Sequence, residues 1–552
     1  MRTILRSLFA SLAAIAAAQT PDAVYINGKI VTVDPHFSIA QAFAVANGRF
    51  IAVGKNADIQ RLAGPSTRAI DLHGKTVIPG FEDSHLHGAG GGPGIDLSNA
   101  RSFADVFARV RERAMTSKPG DVLVSNSDWH EAQLKEQRLP LRRDLDPVSP
   151  DNPVVLVRGG HEFILNSAAL EKWHIAKTTV SPDGGQISRY TDGEPNGELI
   201  DRARTLVSLP QTRLTLDQQI ESWSGQFHSL HAAGLTSIRL PGISLEQYRI
   251  FQEMKRRGLL TMRIAALLSA PSNPDAAKVR AFIESSGVRA DEGDEWLKIG
   301  GMKLIVDGGF EGGWMRDPYN EPFGKGGTFH GLQLIPQDRY TEIVKELNRL
   351  GWRVGTHAVG DAAIDEVLAG YEAANREKPI QGKRWAIEHG FLPREEHFAR
   401  INALGVFVTV QNHLYLAGPS LVRYWGPARA AWVTPVRAYI DHGVAVAAGT
   451  DAPVVPFPPL WTMYHFVTRE TISGGVLGPD QRISREEALR IATMENARLT
   501  FEEKTKGSIE PGRLADFTIL DEDILSVAPK RIEQMKVLTT VVGGRTVFQT
   551  AQ

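Results

Sequence analysis

The stretch TVIPGFEDSHLHGAG, residues 76–90, joins a β-branched apolar run to Asp83, His85 and His87. Side chains two apart on a strand project from the same face. His85 and His87 therefore point at one spot, where two imidazoles could share a metal ion. A lone H-x-H is equally a polar strand end with two half-exposed histidines, so the rest of the chain has to decide.

Outward from this point, short apolar runs alternate with helical stretches. GLTSIRLPG, MRIAALLS, MKLIVDGG, WRVGTHAVG, RWAIEHG, VFVTVQNH and VAVAAGTDAP read as strands. In PQDRYTEIVKELNRLG between them, Tyr340, Ile343, Val344 and Leu347 follow the i, i+3, i+4, i+7 spacing of an amphipathic helix. Near-continuous apolar strands separated by helices mean parallel β-structure covered by helices. The repetition predicts an α/β fold, a (β/α)8 TIM-like barrel. DVLVSNSD and NPVVLVRGGH bring the strands above eight, and residues 95–215 do not alternate cleanly, so they are expected to form an inserted, partly helical subdomain. Short strands with Gly turns at Asn27-Gly28, Asn47-Gly48 and Gly543-Gly544 suggest hairpins. They lie at the two ends of the chain and predict one flanking β-sandwich built from both termini. The expected layout is a leader at 1–18, sandwich at 22–78 and 501–552, and barrel at 79–500.

Nearly every strong strand ends in a polar, potentially ligating residue: His85 and His87, Lys303 and Asp307, His357, Glu388 and His389, Gln411 and His413, Asp451. The C-terminal strand ends of such a barrel converge on one mouth. Imidazoles plus a carboxylate suit Zn, Mn, Fe or Ni. Lysine ligates poorly as an ammonium; carbamylated, it becomes an anion that two cations can share. The alternative for Lys303 is an ion pair with Asp307 or another carboxylate, which would leave a one-metal site.

Bulk properties narrow the function class. The chain has 552 residues, net charge -1, 42% hydrophobic and 23% charged residues and no cysteine. That size predicts one large domain plus a satellite, or two domains. No basic run suggests nucleic acid or an anionic membrane as partner, so a small-molecule substrate is expected; a homo-oligomer is compatible with the composition. Without Cys, any metal must be held by His and carboxylates. Arg2, Arg6, the apolar run Leu8 to Ala17 and Ala16-Ala17-Ala18 read as a cleavable signal peptide too short to span a bilayer. The chain is thus expected to be exported, periplasmic or secreted.

Taken together, NGKIVTVD, VIPGFEDSHLH, DNPVVLVRGGHEFILNS, MKLIVDGG, THAVGDAAIDEVL, AIEHG, GTDAPV and KGSIEPGRLADFTILD resemble the amidohydrolase superfamily, within it the N-substituted formamide deformylase-like branch, amidohydrolase family 3. The resemblance spans almost everything after the leader. It implies a metal-dependent hydrolase that cleaves a C–N bond, amide or formamide-like, with metal-activated water. It further implies one or two divalent ions, Zn foremost, on His85, His87, a carboxylated Lys303, His357, His389 and Asp451. Asp451 would also be the catalytic proton shuttle. Where branch members often carry a GSRTA-like turn after the lysine strand, this chain has FEGGWM, residues 310–315, so the substrate class does not carry over. Ester or lactone hydrolysis, deamination, or a non-catalytic binding role on the same scaffold are the competing readings.

Around that set, His161 resembles a substrate-contacting histidine, although with Asn166 it could equally cap a turn. Trp129, His130, Trp314, Gln411 and His413 are candidate pocket linings. Asp361 is expected to cap the helix that follows it. Asp83 and Glu388 are better suited to orienting ligands than to ligation. The glycine-rich residues 88–94 lack the Lys-Ser/Thr of a phosphate loop and are expected to form a mobile loop over the mouth.

Overall fold

The computed structural model describes residues 20–210, 213–455 and 458–551; the leader lies outside the described residues. Eight parallel strands form the central sheet: β1 (Phe81–Asp83), β2 (Leu235–Ile243), β3 (Arg263–Ser269), β4 (Leu297–Ile305), β5 (Val354–Ala358), β6 (Ala386–His389), β7 (Phe407–Gln411) and β8 (Ala445–Gly449). They are hydrogen-bonded in chain order. The ends of the sheet meet where Ser84 N–H donates to the Ala448 carbonyl at 3.0 Å and Asp451 N–H to that of His85 at 2.6 Å. The seam of the barrel therefore runs through the first-strand histidines.

Helices cover the outside. Gln337–Arg349, between β4 and β5, buries the expected Tyr340, Ile343, Val344 and Leu347. Asp361–Glu377 and Glu395–Leu404 follow β5 and β6. A parallel sheet needs this cover because both of its faces are apolar.

Both ends of the chain contribute to one six-stranded sheet. Its order is Arg545–Gln549, Val537–Val542, Phe517–Leu520, Thr76–Pro79, Lys29–Val31, Ile39–Ala40. A four-stranded sheet, Arg49–Gly54, Ala42–Ala46, Ala23–Ile26, Arg68–Asp71, packs against it through Tyr25, Phe43, Phe50 and Phe517, with Phe43 and Phe517 ring centres 5.0 Å apart. Asn47-Gly48 and Gly543-Gly544 make two-residue hairpins with both turn residues at positive φ. Asn27-Gly28 does not. Strand Ala23–Ile26 is already flanked on both sides, so the chain crosses there into the six-stranded sheet.

Residues between β1 and β2 are more β-rich than their irregular pattern suggested. They build a five-stranded sheet of Gly185–Arg189, Pro195–Asp201, Glu162–Leu165, Val154–Arg158 and Leu123–Val124. Periodicity missed part of it because these strands are buried almost without alternation.

Barrel and sandwich are clamped by buried ion pairs, Glu82 with Lys506 at 2.8 Å and Arg263 with Asp516. Arg263, opening β3, donates to Asp516 through Nε at 2.6 Å and Nη2 at 3.1 Å, and its guanidinium lies 4.4 Å from the Trp296 ring. The two side chains are 2% and 5% exposed. Removing one partner of such a pair strands the other charge. Asp516→Ala is expected to lower stability by about 3–5 kcal/mol in urea denaturation, and Arg263→Met/Asp516→Leu to recover most of that loss.

Candidate metal centre

Six of the strand ends converge. His85 Nε2 lies 3.4 Å from Asp451 Oδ1, and His87 Nε2 lies 3.1 Å from the same oxygen. Lys303 Nζ lies 3.3 Å from His85 Nε2. The His389 ring centre is 4.6 Å from that of His85 and 4.5 Å from that of His357. His413 Nε2 reaches Asp451 Oδ2 at 2.9 Å. His85, His87 and Asp451, and likewise His389, His413 and Asp451, each place three potential ligand atoms within 4.8 Å of one another.

Three of the imidazoles are aimed by fixed partners. Glu388, buried at the end of β6, accepts from His85 Nδ1 at 2.8 Å and is itself held by Arg239 at 2.7 and 3.0 Å and by the Thr409 hydroxyl at 2.7 Å. His85 therefore keeps its Nε2 for the mouth. His389 Nδ1 donates to Gln411 Oε1 at 2.8 Å, which frees Nε2 in the same way. His357 Nε2 donates to the Gly308 carbonyl at 3.1 Å and leaves Nδ1. Asp83 touches no ring: it accepts the His85 main-chain N–H at 2.9 Å and the Thr450 hydroxyl at 2.7 Å, and so braces the strand end.

Electrostatics favour cation binding. Burial, reinforced by Lys303, pulls His85 down to about 3. Burial, with neighbouring imidazoles, holds His357 and His389 well below the ordinary range. These rings are neutral at physiological pH, the form that ligates. Burial alone would raise Asp451, but His85 and hydrogen bonds from His413 and His87 hold it far below a normal carboxylate. Burial lowers Lys303 to about 8. Asp307 is no partner for it, since its carboxylate is taken by the N–H groups of Trp314 at 2.9 Å, Val359 at 3.1 Å and Gly360 at 2.9 Å.

Two of the residues carry backbone strain. His389 and Asp451 sit at φ 75° and 60°, a conformation costing non-glycine residues roughly 1–3 kcal/mol. It re-aims both side chains across the mouth.

The centre opens on two spaces. A cleft of about 1080 Å³ is lined by His87, Lys303, His357, His389 and Asp451 together with His161, Arg204 and Pro271. Behind it lies a chamber of about 30 Å³ between His130, Phe310, Glu311, Phe391 and His413. A separate cleft of about 660 Å³, beside Arg263 and Trp296 at the N-terminal ends of β3 and β4, holds none of these imidazoles.

Three expected linings lie elsewhere. Trp129 is fully buried in the core of the inserted segment and donates to the Val157 carbonyl at 2.7 Å. Trp314 packs against the barrel core and lies outside both spaces among the described residues. Gln411 is buried, with its carbonyl committed to His389. Asn166 caps helix Ser167–Lys172, and His161 is free of that task. The cap before Asp361–Glu377 is Gly360, one residue earlier than expected; Asp361 Oδ1 instead accepts from the N–H of Arg316 at 2.9 Å. Residues 88–94 are tied to the inserted segment, with Gly91 N–H on Asp128 at 2.9 Å and Gly94 N–H on Asn126 at 3.0 Å. Sequence reading passed over Arg239, whose signal was an arginine inside an apolar strand, and Asp201, which lacked any.

Residues 68–548 match the amidohydrolase family. The chain belongs to the amidohydrolase family. It is 29% identical to the N-substituted formamide deformylase of Arthrobacter pascens, covering 95% of this chain and 98% of that one. It is 26% identical to the putative amidohydrolase YtcJ of Bacillus subtilis, covering 96% and 99%. Its fold resembles an uncharacterized metal-dependent hydrolase from Pyrococcus horikoshii, with TM-score 0.68 and 24% identity over 92% and 99% of the two chains. This amidohydrolase is a metal-dependent hydrolase of the deformylase-like branch, on an α/β barrel.

Gln411 gives the arrangement a direct test. Gln411→Leu removes the acceptor that orients His389, and divalent-metal affinity, measured by chelator competition, is expected to fall about 10–100-fold with the fold retained by circular dichroism.

Proposed function

We propose that this amidohydrolase cleaves a C–N bond of a small amide, formamide-like substrate included, by adding water to its carbonyl. The observation that carries the reading is the meeting of His85 and His87 with Asp451 within 3.4 Å, beside His389, His357 and Lys303, at the head of a cleft large enough for a small molecule.

The donor set fits a divalent cation such as zinc, since burial favours the neutral form of His85, His357 and His389 and the carboxylate of Asp451 is held ionised. His85, His87, His357, His389 and Asp451 would hold it, with one or two ions bound. When bound, such an ion polarises a carbonyl and makes water acidic enough to attack near neutral pH.

The remaining chemistry belongs to the chain. Asp451, ionised and hydrogen-bonded to His413, takes the proton from the attacking water and passes it to the departing nitrogen. Glu388 and Arg239 keep His85 from rotating away. Burial, which lowers Lys303 to about 8, eases its deprotonation. Its neutral amine could add carbon dioxide with loss of a proton, giving a carbamate that would offer the centre an anionic ligand. We also infer export, from the leader pattern at 1–18; N-terminal sequencing of the mature chain should then begin after Ala18.

Asp451→Asn should retain at least one metal equivalent by elemental analysis and lose about 10²–10⁴-fold in kcat; full activity would refute the shuttle. Lys303→Met should lower bound metal from two equivalents to one. One equivalent in the unaltered protein would show instead that Lys303 makes no bridge.

A further inference from the structure

The turn after β4, DGGFEGG at residues 307–313, leads to a pair of side chains from a different part of the chain. His161 opens strand Glu162–Leu165, and Asp201 closes strand Pro195–Asp201, its antiparallel neighbour. Asp201 N–H donates to the His161 carbonyl at 2.8 Å, and His161 Nδ1 donates to Asp201 Oδ1 at 2.6 Å. The His161 ring centre stands 5.3 Å from that of His357 and borders both the cleft and the inner chamber.

Holding this dyad is costly. Asp201 adopts φ 48°, ψ −120°, and its buried Oδ2 has no hydrogen-bond partner. Such a backbone and an orphaned polar atom each cost roughly 1–3 kcal/mol. The turn is also shaped around the pair. A Cβ at Gly308 or Gly312 would stand 2.1 or 2.3 Å from Asp201 Oδ2, and one at Gly309 would stand 2.8 Å from His161 Cγ. Contacts below 3.0 Å do not occur for real side chains, so three glycines clear the space the dyad fills.

We propose that Asp201 is a positioning residue that fixes His161 as a hydrogen-bond acceptor for the N–H of a secondary amide substrate. With Nδ1–H committed to Asp201, the tautomer this hydrogen bond selects carries its lone pair on Nε2, on a ring that lines the cleft. That atom matches an N–H beside the scissile carbonyl, which secondary amides have and esters and N,N-disubstituted amides lack. The inference rests on the hydrolase reading and narrows its substrate to amides bearing an N–H.

Asp201→Asn tests it, because the asparagine amide would donate to His161 Nδ1 and force the ring proton onto Nε2. Rates of the zinc-loaded protein on N-formyl-4-nitroaniline and 4-nitrophenyl formate give an amide-to-ester ratio of kcat/KM free of protein-wide losses. The ratio is expected to fall at least about tenfold in Asp201→Asn, with metal content unchanged. The downfield His161 Nδ1–H proton resonance should be present in the unaltered protein and absent from the variant. Gly309→Ala, which displaces the ring without touching Asp201, should lower the ratio in the same direction and serves if Asp201→Asn does not fold. An unchanged ratio, equal loss on both substrates, or a His161 ring protonated at Nε2 in the unaltered protein would overturn the acceptor role. Turnover of neither substrate would instead overturn the hydrolase reading, and this inference with it.

Discussion

The mouth of the barrel hangs from one buried carboxylate. Glu388 accepts from His85, Arg239 and Thr409 on three other strands, and has no exposure to solvent. An isolated carboxylate at that depth would be protonated or would distort the strands around it. Arg239, with the hydrogen bond from His85, holds it ionised despite burial. A charge so enclosed tolerates little displacement, and His85 inherits that rigidity. The other imidazoles follow by register, since His357 pairs with Glu388 across β5 and β6, and Ala358 with His389.

Rigidity alone would not bring Asp451 to the same point. The closing hydrogen bond from Asp451 N–H to the His85 carbonyl places the eighth-strand carboxylate beside the first-strand pair, so the contact that closes the barrel also completes the centre. The left-handed backbone at His389 and Asp451 belongs to the same logic, because a regular strand end would send these side chains along the barrel wall.

Much of this was legible in the amino-acid sequence, and for a definite reason. Parallel strands buried on both faces are written as apolar runs, and a polar residue ending each run marks the mouth. Pattern could not say which polar residues face one another. Gln411 and His413 are two apart, yet one orients His389 and the other meets Asp451. Trp129 and Trp314 looked like pocket walls because large aromatics near a site often are, but Trp129 is buried in the core of the insertion and half-buried Trp314 packs against that of the barrel. The Asn27-Gly28 turn had hairpin chemistry without hairpin topology, since turn residues describe local φ, ψ and not which strand lies alongside. Asp201 was invisible because nothing local marks an aspartate that matters only through a contact forty residues away.

The molecule thus separates two tasks between two sources of structure. Barrel strands supply the imidazoles and carboxylate, whose positions are set by register and by Glu388. The inserted segment supplies His130, His161 and Arg158 to the chamber beside them. Arg158 there faces Glu131, Glu162 and Glu311, and burial raises both Glu162 and Glu311 against its pull. The same wall ties the insertion to the barrel, since Arg158 reaches Glu311 at 2.6 Å and Glu131 accepts from the Ser420 hydroxyl. The glycine-rich turn after β4 is where the two sources touch, with no side chain at Gly308, Gly309 or Gly312 to keep them apart. Insertion loops can vary while barrel registers cannot. One set of metal-directed residues can therefore serve different small molecules, with discrimination resting on what the insertion presses through that turn.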